Sequence, residues 1–268
     1  MENIQVWAVI LDESALQDEL YQRALTFVDA ESQAKIKKFY HRVDSYRTLI
    51  GRLLVRRMLV KKGISLSQMT FATTQSGKSY LTAQNSNPPI AYNVTHDNNV
   101  IAMVVGPGRT NPPAFGLGID VMKTRVPGKS SINEFIEVVG DQLSQQEHTI
   151  LQAASTDDEK TRQFFWMWTL KEAYTKAIGM GLGFDFKRVE FHPQERLVKV
   201  DGQIPVGWKF RMFVLKDGED QYQGVCADFM GNSEQAEVLP ENIEGNSSWL
   251  SVEEGVPFLN TAMSVLHT

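Results

Sequence analysis

Lys171, Glu172 and Lys176 follow directly on an apolar block, Phe164 to Trp168. On a helix, Trp168, Glu172 and Lys176 fall on one face at i, i+4 and i+8. Leu170, Ala173, Tyr174 and Ala177 form the opposite, core-facing stripe. An exposed Glu–Lys pair would add only roughly 0.3–0.5 kcal/mol to such a helix. The tryptophans instead make the helix apolar nearly all round, which marks a buried helix. A buried glutamate needs a cation, and a divalent metal supplies a stronger one than lysine. The glycine-rich run 179–184 ends the helix and permits close backbone approach.

A second acid, Asp120, lies in the otherwise apolar run "GLGIDVM". Ionised carboxylates are rarely buried without a partner. Asp120 is therefore either a cap on neighbouring backbone or a metal ligand.

Three segments have the chemistry of an anion site. Between Lys35 and Lys62 stand ten Lys or Arg and a single acid, Asp44. Most of these fit a solvated helix face. Lys35, Arg47 and Thr48, at or near expected helix starts, are the best placed for phosphate, Arg as a planar fork and Thr as a hydroxyl donor. "QSGKSY" (75–80) lacks the GxxxxGK[ST] spacing of a Walker loop. It reads as a hairpin turn with a solvent-facing lysine, or as a glycine turn (Ser76, Gly77) close to a ligand with Lys78 on phosphate. "YNVTHDN" puts His96 at a strand end beside Asn93, Val94 and Thr95. A lone histidine there is a structural residue or, with its neighbours, a phosphate contact.

The 268-residue chain with 42% hydrophobic and 22% charged residues is that of an ordinary globular protein. A net charge of −5 argues against a general nucleic-acid binder. A single cysteine, Cys226, excludes an internal disulfide and fits a reducing compartment. No apolar run approaches the ~20 residues that span a bilayer, and the start lacks a signal-peptide pattern. The reading is a cytoplasmic protein with no nucleic-acid or membrane partner.

The elements that must position these residues read as follows. A strand covers 4–11, helical sequence 12–40 with Asp12 or Ser14 as N-cap, and a helix 44–62. Short strands flank "TTQSGKSYL", and a hairpin surrounds "HDNN". "GPGRTNPP" (106–113) is the strongest break. A strand then holds Asp120, helices cover 131–139, 144–153 and 158–178, and strands 187–200, 208–215 and 222–229. The chain after about 231 is expected to be loosely ordered. The pattern predicts an α+β protein of two similar halves, 1–113 and 114–230, with antiparallel sheets, a ligand cleft between the halves, and an extension at 231–268.

Together the pieces resemble the 4′-phosphopantetheinyl transferases of the surfactin-synthetase type. The motifs are "GIDVM" (118–122) and "WTLKEAYTK" (168–176), with the segment 39–59, "GK" and "NVTH" upstream in matching order. The resemblance spans about residues 30–230. It implies a pseudo-dimeric α+β fold holding coenzyme A, whose phosphopantetheine arm passes to a serine of an apo carrier protein. It implies Mg²⁺ on Asp120 and Glu172. It implies coenzyme A contacts from Lys35, Arg47, Thr48, Ser76, Gly77, Lys78, Asn93, Val94, Thr95, His96, Glu172 and Lys176. Glu172, Lys171 and Glu147 are the implied catalytic residues, with Glu147 or a metal-bound water as the general base. Met122 stands where many bacterial members carry another acid, so a water is expected to replace that ligand. Met122, "MKTRVPG" and "AIGMGLGF" resemble the eukaryotic branch that modifies aminoadipate reductases and fatty-acid synthases. The implied unit is a monomer. A non-catalytic module binding coenzyme A or a carrier, and a nucleotide-phosphate hydrolase, are the competing readings.

Overall fold

The computed structural model describes residues 4–82, 84–243 and 248–267. Its first half runs β1 (Gln5–Ile10), α1 (Asp18–Leu25), α2 (Ala30–Ile36), α3 (Arg42–Lys61), a small hairpin β2 (Phe71–Thr73) and β3 (Ser79–Leu81), then β4 (Ile90–Asp97) and β5 (Val100–Pro107). The second half repeats the order. β6 (Leu117–Lys123) is followed by α4 (Ile132–Val139), α5 (Gln145–Ala153) and α6 (Asp157–Ile178). The hairpin β7 (Val189–His192) and β8 (Leu197–Val200) comes next, then β9 (Trp208–Asp217) and β10 (Asp220–Phe229). β1 pairs antiparallel with β5 and β5 with β4; β6 pairs antiparallel with β10 and β10 with β9. One long helix, α3 or α6, packs on each sheet, and these helices supply the two separate cores. A third apolar layer joins the sheets, with Val6, Ala102 and Val104 meeting Ile119, Val121 and Phe213. The predicted two-half α+β architecture is what the chain adopts.

Two expectations are corrected. Residues 12–40 are not one helix. Asp29 caps α2 by accepting from the Ser32 amide at 2.8 Å, which forces a turn at 26–29 between two short helices. Asp12 accepts from the Ser14 amide and hydroxyl instead of capping α1, whose N-cap is Gln17.

The tail is ordered as well. β11 (Glu237–Ile243) lies parallel on β9, and β12 (Leu250–Glu254) lies parallel on β1, so the segment extends both sheets. α7 (Gly255–Leu266) then buries Phe258, Leu259, Ala262, Met263 and Leu266 in the first core beside α3. This apolar burial outweighs the polar composition around it. Residues 244–247 and 268 of the tail lie outside the described residues. No described helix is long and apolar enough to cross a membrane.

Candidate active site

The site is built where β4 of the first half lies alongside β6 and α6 of the second. A strand alternates its side chains between two faces. In "NVTH" this alternation divides the motif. Asn93 and Thr95 turn to the second half: Asn93 Oδ1 accepts from the Ile119 amide at 2.9 Å, and Thr95 Oγ1 donates to Asp120 Oδ1 at 2.9 Å. Val94 and His96 turn the other way, into a cavity of about 930 Å³.

Gly118 sets the approach of α6 to β6. A methyl group there would overlap the Ala173 carbonyl and the Ala177 backbone, so only glycine lets the helix lie this close. Close packing brings three residues of the two motifs together. Lys176 Nζ donates to Asp120 Oδ1 at 2.6 Å and to Thr95 Oγ1 at 3.2 Å. Glu172, one turn before Lys176 on α6, is half-buried, and its carboxylate has no hydrogen-bond partner among the described residues. Burial raises its pKa, the Asp120 charge adds to the rise, and Lys176 opposes it. Over residues 163–177 of α6, Trp168, Glu172 and Lys176 are the partly exposed stripe of an otherwise buried stretch, as the residue spacing predicts.

The cavity is lined by the first half and α7. Lys35, Arg47, Thr48, Gly77, Val94 and His96, all candidates from the sequence, border it, as do Arg52 and Arg56. Arg47 is held by Asp44 at 2.8 Å and by the Asn98 carbonyl. Lys35 lies in the last turn of α2, not near a helix start, and pairs with Glu31 at 2.7 Å. Desolvation lowers the His96 pKa, and the charges of Arg47 and Lys176 lower it further. The neutral imidazole is thereby favoured.

Four other candidates are placed differently. Lys78 is buried, and its ammonium donates to the carbonyls of Ala114 (2.7 Å), Leu117 (2.6 Å) and Lys176 (2.9 Å). All three of its donors are used, so it ties the hairpin to the second half and does not face the cavity. Burial, with Lys176 second, lowers its pKa to about 7, while the three acceptors favour the charged form. Ser76 donates to the Gly179 carbonyl at 2.8 Å, docking the same turn on the end of α6. Lys171 and Glu147, expected to be catalytic, are both fully enclosed and pair at 2.5 Å. Glu147 also accepts from the amides of Ser144 and Phe191, and Lys171 donates to the Gln142 carbonyl. Every charged atom of this pair is satisfied inside the second core, away from Asp120 and the cavity. A base there has no route to a substrate.

The expected cleft between the halves is instead a cation-walled cavity of the first half and His267, with the acid pair of the second half beyond β4; such walls suit a phosphorylated ligand. Comparison with known proteins narrows the class. Residues 116–226 match the 4′-phosphopantetheinyl transferase superfamily, and residues 15–107 match the N-terminal domain of a 4′-phosphopantetheinyl transferase. The chain is 48% identical over 232 residues to the 4′-phosphopantetheinyl transferase pptA of Paxillus involutus, covering 85% of this chain and 88% of the relative. It is 33% identical over 198 residues to the L-aminoadipate-semialdehyde dehydrogenase-phosphopantetheinyl transferase of Xenopus laevis, covering 73% of this chain and 62% of that relative. It is 28% identical over 230 residues to a 4′-phosphopantetheinyl transferase of Bacillus subtilis, covering 84% and 92%. The chain belongs to the 4′-phosphopantetheinyl transferase family.

Arg52, Arg56 and His267 also border the cavity, and the sequence reading did not single them out. The basic run of α3 signalled the two arginines only collectively.

Proposed function

We propose that the chain transfers the 4′-phosphopantetheine group of coenzyme A to a serine of an apo carrier domain, with Asp120 and Glu172 holding Mg²⁺. The observation that carries this reading is the Glu172 carboxylate, half-buried and unpartnered beside the Asp120 charge that disfavours its ionisation. The carboxylates of Asp120 and Glu172 are hard-oxygen donors of the kind that suits a divalent cation. No cluster of three or more His, Cys, Asp or Glu is present among the described residues. Mg²⁺ characteristically keeps several waters and takes substrate phosphate oxygens beside one or two carboxylates. When bound, it supplies charge neutralisation on the diphosphate.

The chain's own residues do the rest. Arg47, Thr48 and His96 receive the nucleotide end of coenzyme A, and Lys35 adds charge at the rim. Lys176 shares Asp120 with Thr95 and presents its ammonium to the reacting diphosphate. The serine oxygen bonds to the β-phosphorus, the bond from that phosphorus to the bridging oxygen breaks, and adenosine 3′,5′-bisphosphate leaves with the electron pair. The unpartnered Glu172 carboxylate takes the serine proton. Preorganised charge of this kind acts where charge develops in the transition state. The nucleophile comes from the partner, so the protein needs none; its one cysteine, Cys226, is buried and inert.

The carriers we assign are aminoadipate-semialdehyde dehydrogenase, after the name of the Xenopus laevis relative, and acyl or peptidyl carrier domains, as the sequence resemblance implies. One chain builds both the cavity and the acid pair, so the working unit is a monomer, placed in the cytoplasm. Incubation with coenzyme A, Mg²⁺ and an apo carrier tests the reading by intact mass. A gain of one phosphopantetheine on the carrier is expected. Binding of coenzyme A without that gain would leave a non-catalytic module, and coenzyme A cleavage without a carrier would mean a hydrolase.

A further inference from the structure

The cavity has a wall that neither repeated half supplies. Residues 227–267 lie beyond both family matches, yet the last turn of α7 brings His267 to the cavity edge. Its position is fixed from two directions. Phe258 and Leu259 are fully buried against α3. Glu253, just before α7, accepts from Arg57 Nη1 of α3 with both carboxylate oxygens, at 2.8 and 2.9 Å. The His267 ring meets Phe27 edge-on, 4.7 Å between centroids at 89°. Its side-chain nitrogens have no hydrogen-bond partner among the described residues.

Phe27 belongs to the turn that leads into α2, and across that turn stands Arg52. Arg52 Nη1 donates to Ser32 Oγ at 2.8 Å, while its Nε is buried without a partner. Its neighbour Arg56 is neutralised by Asp29 at 2.6 Å, but no carboxylate pairs with Arg52 among the described residues. An imidazole and a guanidinium with unused donors thus border one cavity around the 26–32 turn. That chemistry suits a phosphate monoester, which carries up to two charges and several acceptor oxygens. The reacting diphosphate belongs elsewhere, at the β4–β6 seam where Lys176 donates to Asp120 and Thr95.

We infer that His267 is a specificity-determining residue: delivered by the C-terminal segment, it contacts the 3′-phosphate of coenzyme A opposite Arg52. The inference rests on the function proposed above. It makes the tail part of the ligand site, so the protein distinguishes coenzyme A from its 3′-dephospho form partly through a residue outside the duplicated fold.

The test is calorimetric binding of coenzyme A and of 3′-dephospho-coenzyme A to the full chain and to His267→Ala, with thermal melts to confirm folding. Loss of one charge-assisted contact should weaken coenzyme A binding roughly tenfold. Binding of the dephospho form should change by less than about twofold. An unchanged preference in the variant, or an equal loss for both ligands, would overturn the inference and leave the proposed function standing. A native chain that binds both ligands equally would do the same. A native chain that binds neither would bring down both.

Discussion

Helix α6 carries two lysine–carboxylate pairs five residues apart, and they differ in every respect that matters to function. Lys171–Glu147 has no exposure on either side chain, whereas Lys176 and Asp120 are 28% and 8% exposed. The inner pair is saturated by backbone groups and sealed. The outer pair shares Thr95 with the first half and has the unpartnered Glu172 beside it. One pair holds the second core together, and the other leaves an acid available to a ligand. Charge alone therefore does not mark a site. Unsatisfied charge that is partly exposed does.

The comparison breaks most visibly at Lys171. Lys171→Met would strand Glu147 in the core, and a buried pair cut on one side costs about 3–5 kcal/mol; urea unfolding measures it. Lys78→Met should cost about 2–3 kcal/mol by removing the donor from buried carbonyls, again read in urea, and should loosen the two halves to limited proteolysis. Gly118→Ala, forcing α6 off β6, should cost about 1–2 kcal/mol while lowering transfer out of proportion to that loss. Lys176→Met, at the open pair, should cost below about 1 kcal/mol. Its transfer rate should nevertheless fall roughly a hundredfold. Stability and activity thus rank these lysines in opposite orders, and a parallel ranking would dissolve the distinction between the pairs.

The sequence made the outer pair legible because its signals are local. Helical spacing put Trp168, Glu172 and Lys176 on one face, and an acid inside an apolar strand announced Asp120. It did not reveal the roles of Lys78, Lys171 and Glu147, since each is decided by which distant carbonyl or charge it meets after folding. Strand alternation in 93–96 was visible, but not what lay on either side of β4. Two local signals were overlooked. Asp29 three residues before Ser32 marks a helix start. Val256, Leu259, Ala262, Met263 and Leu266 follow a helical stripe within the polar tail. That stripe is what docks α7 and brings His267 to the cavity.

The most direct test of the account is the carrier-labelling rate, at saturating coenzyme A and Mg²⁺, of Glu172→Gln beside that of Lys171→Met/Glu147→Gln. The double change neutralises the sealed pair together and keeps an acceptor for the Phe191 amide. Glu172→Gln should fall by at least about a hundredfold, and the double variant should stay within several-fold of the native rate. Full labelling by Glu172→Gln, or an equal collapse in a folded double variant, would contradict the placement of the chemistry at the open pair.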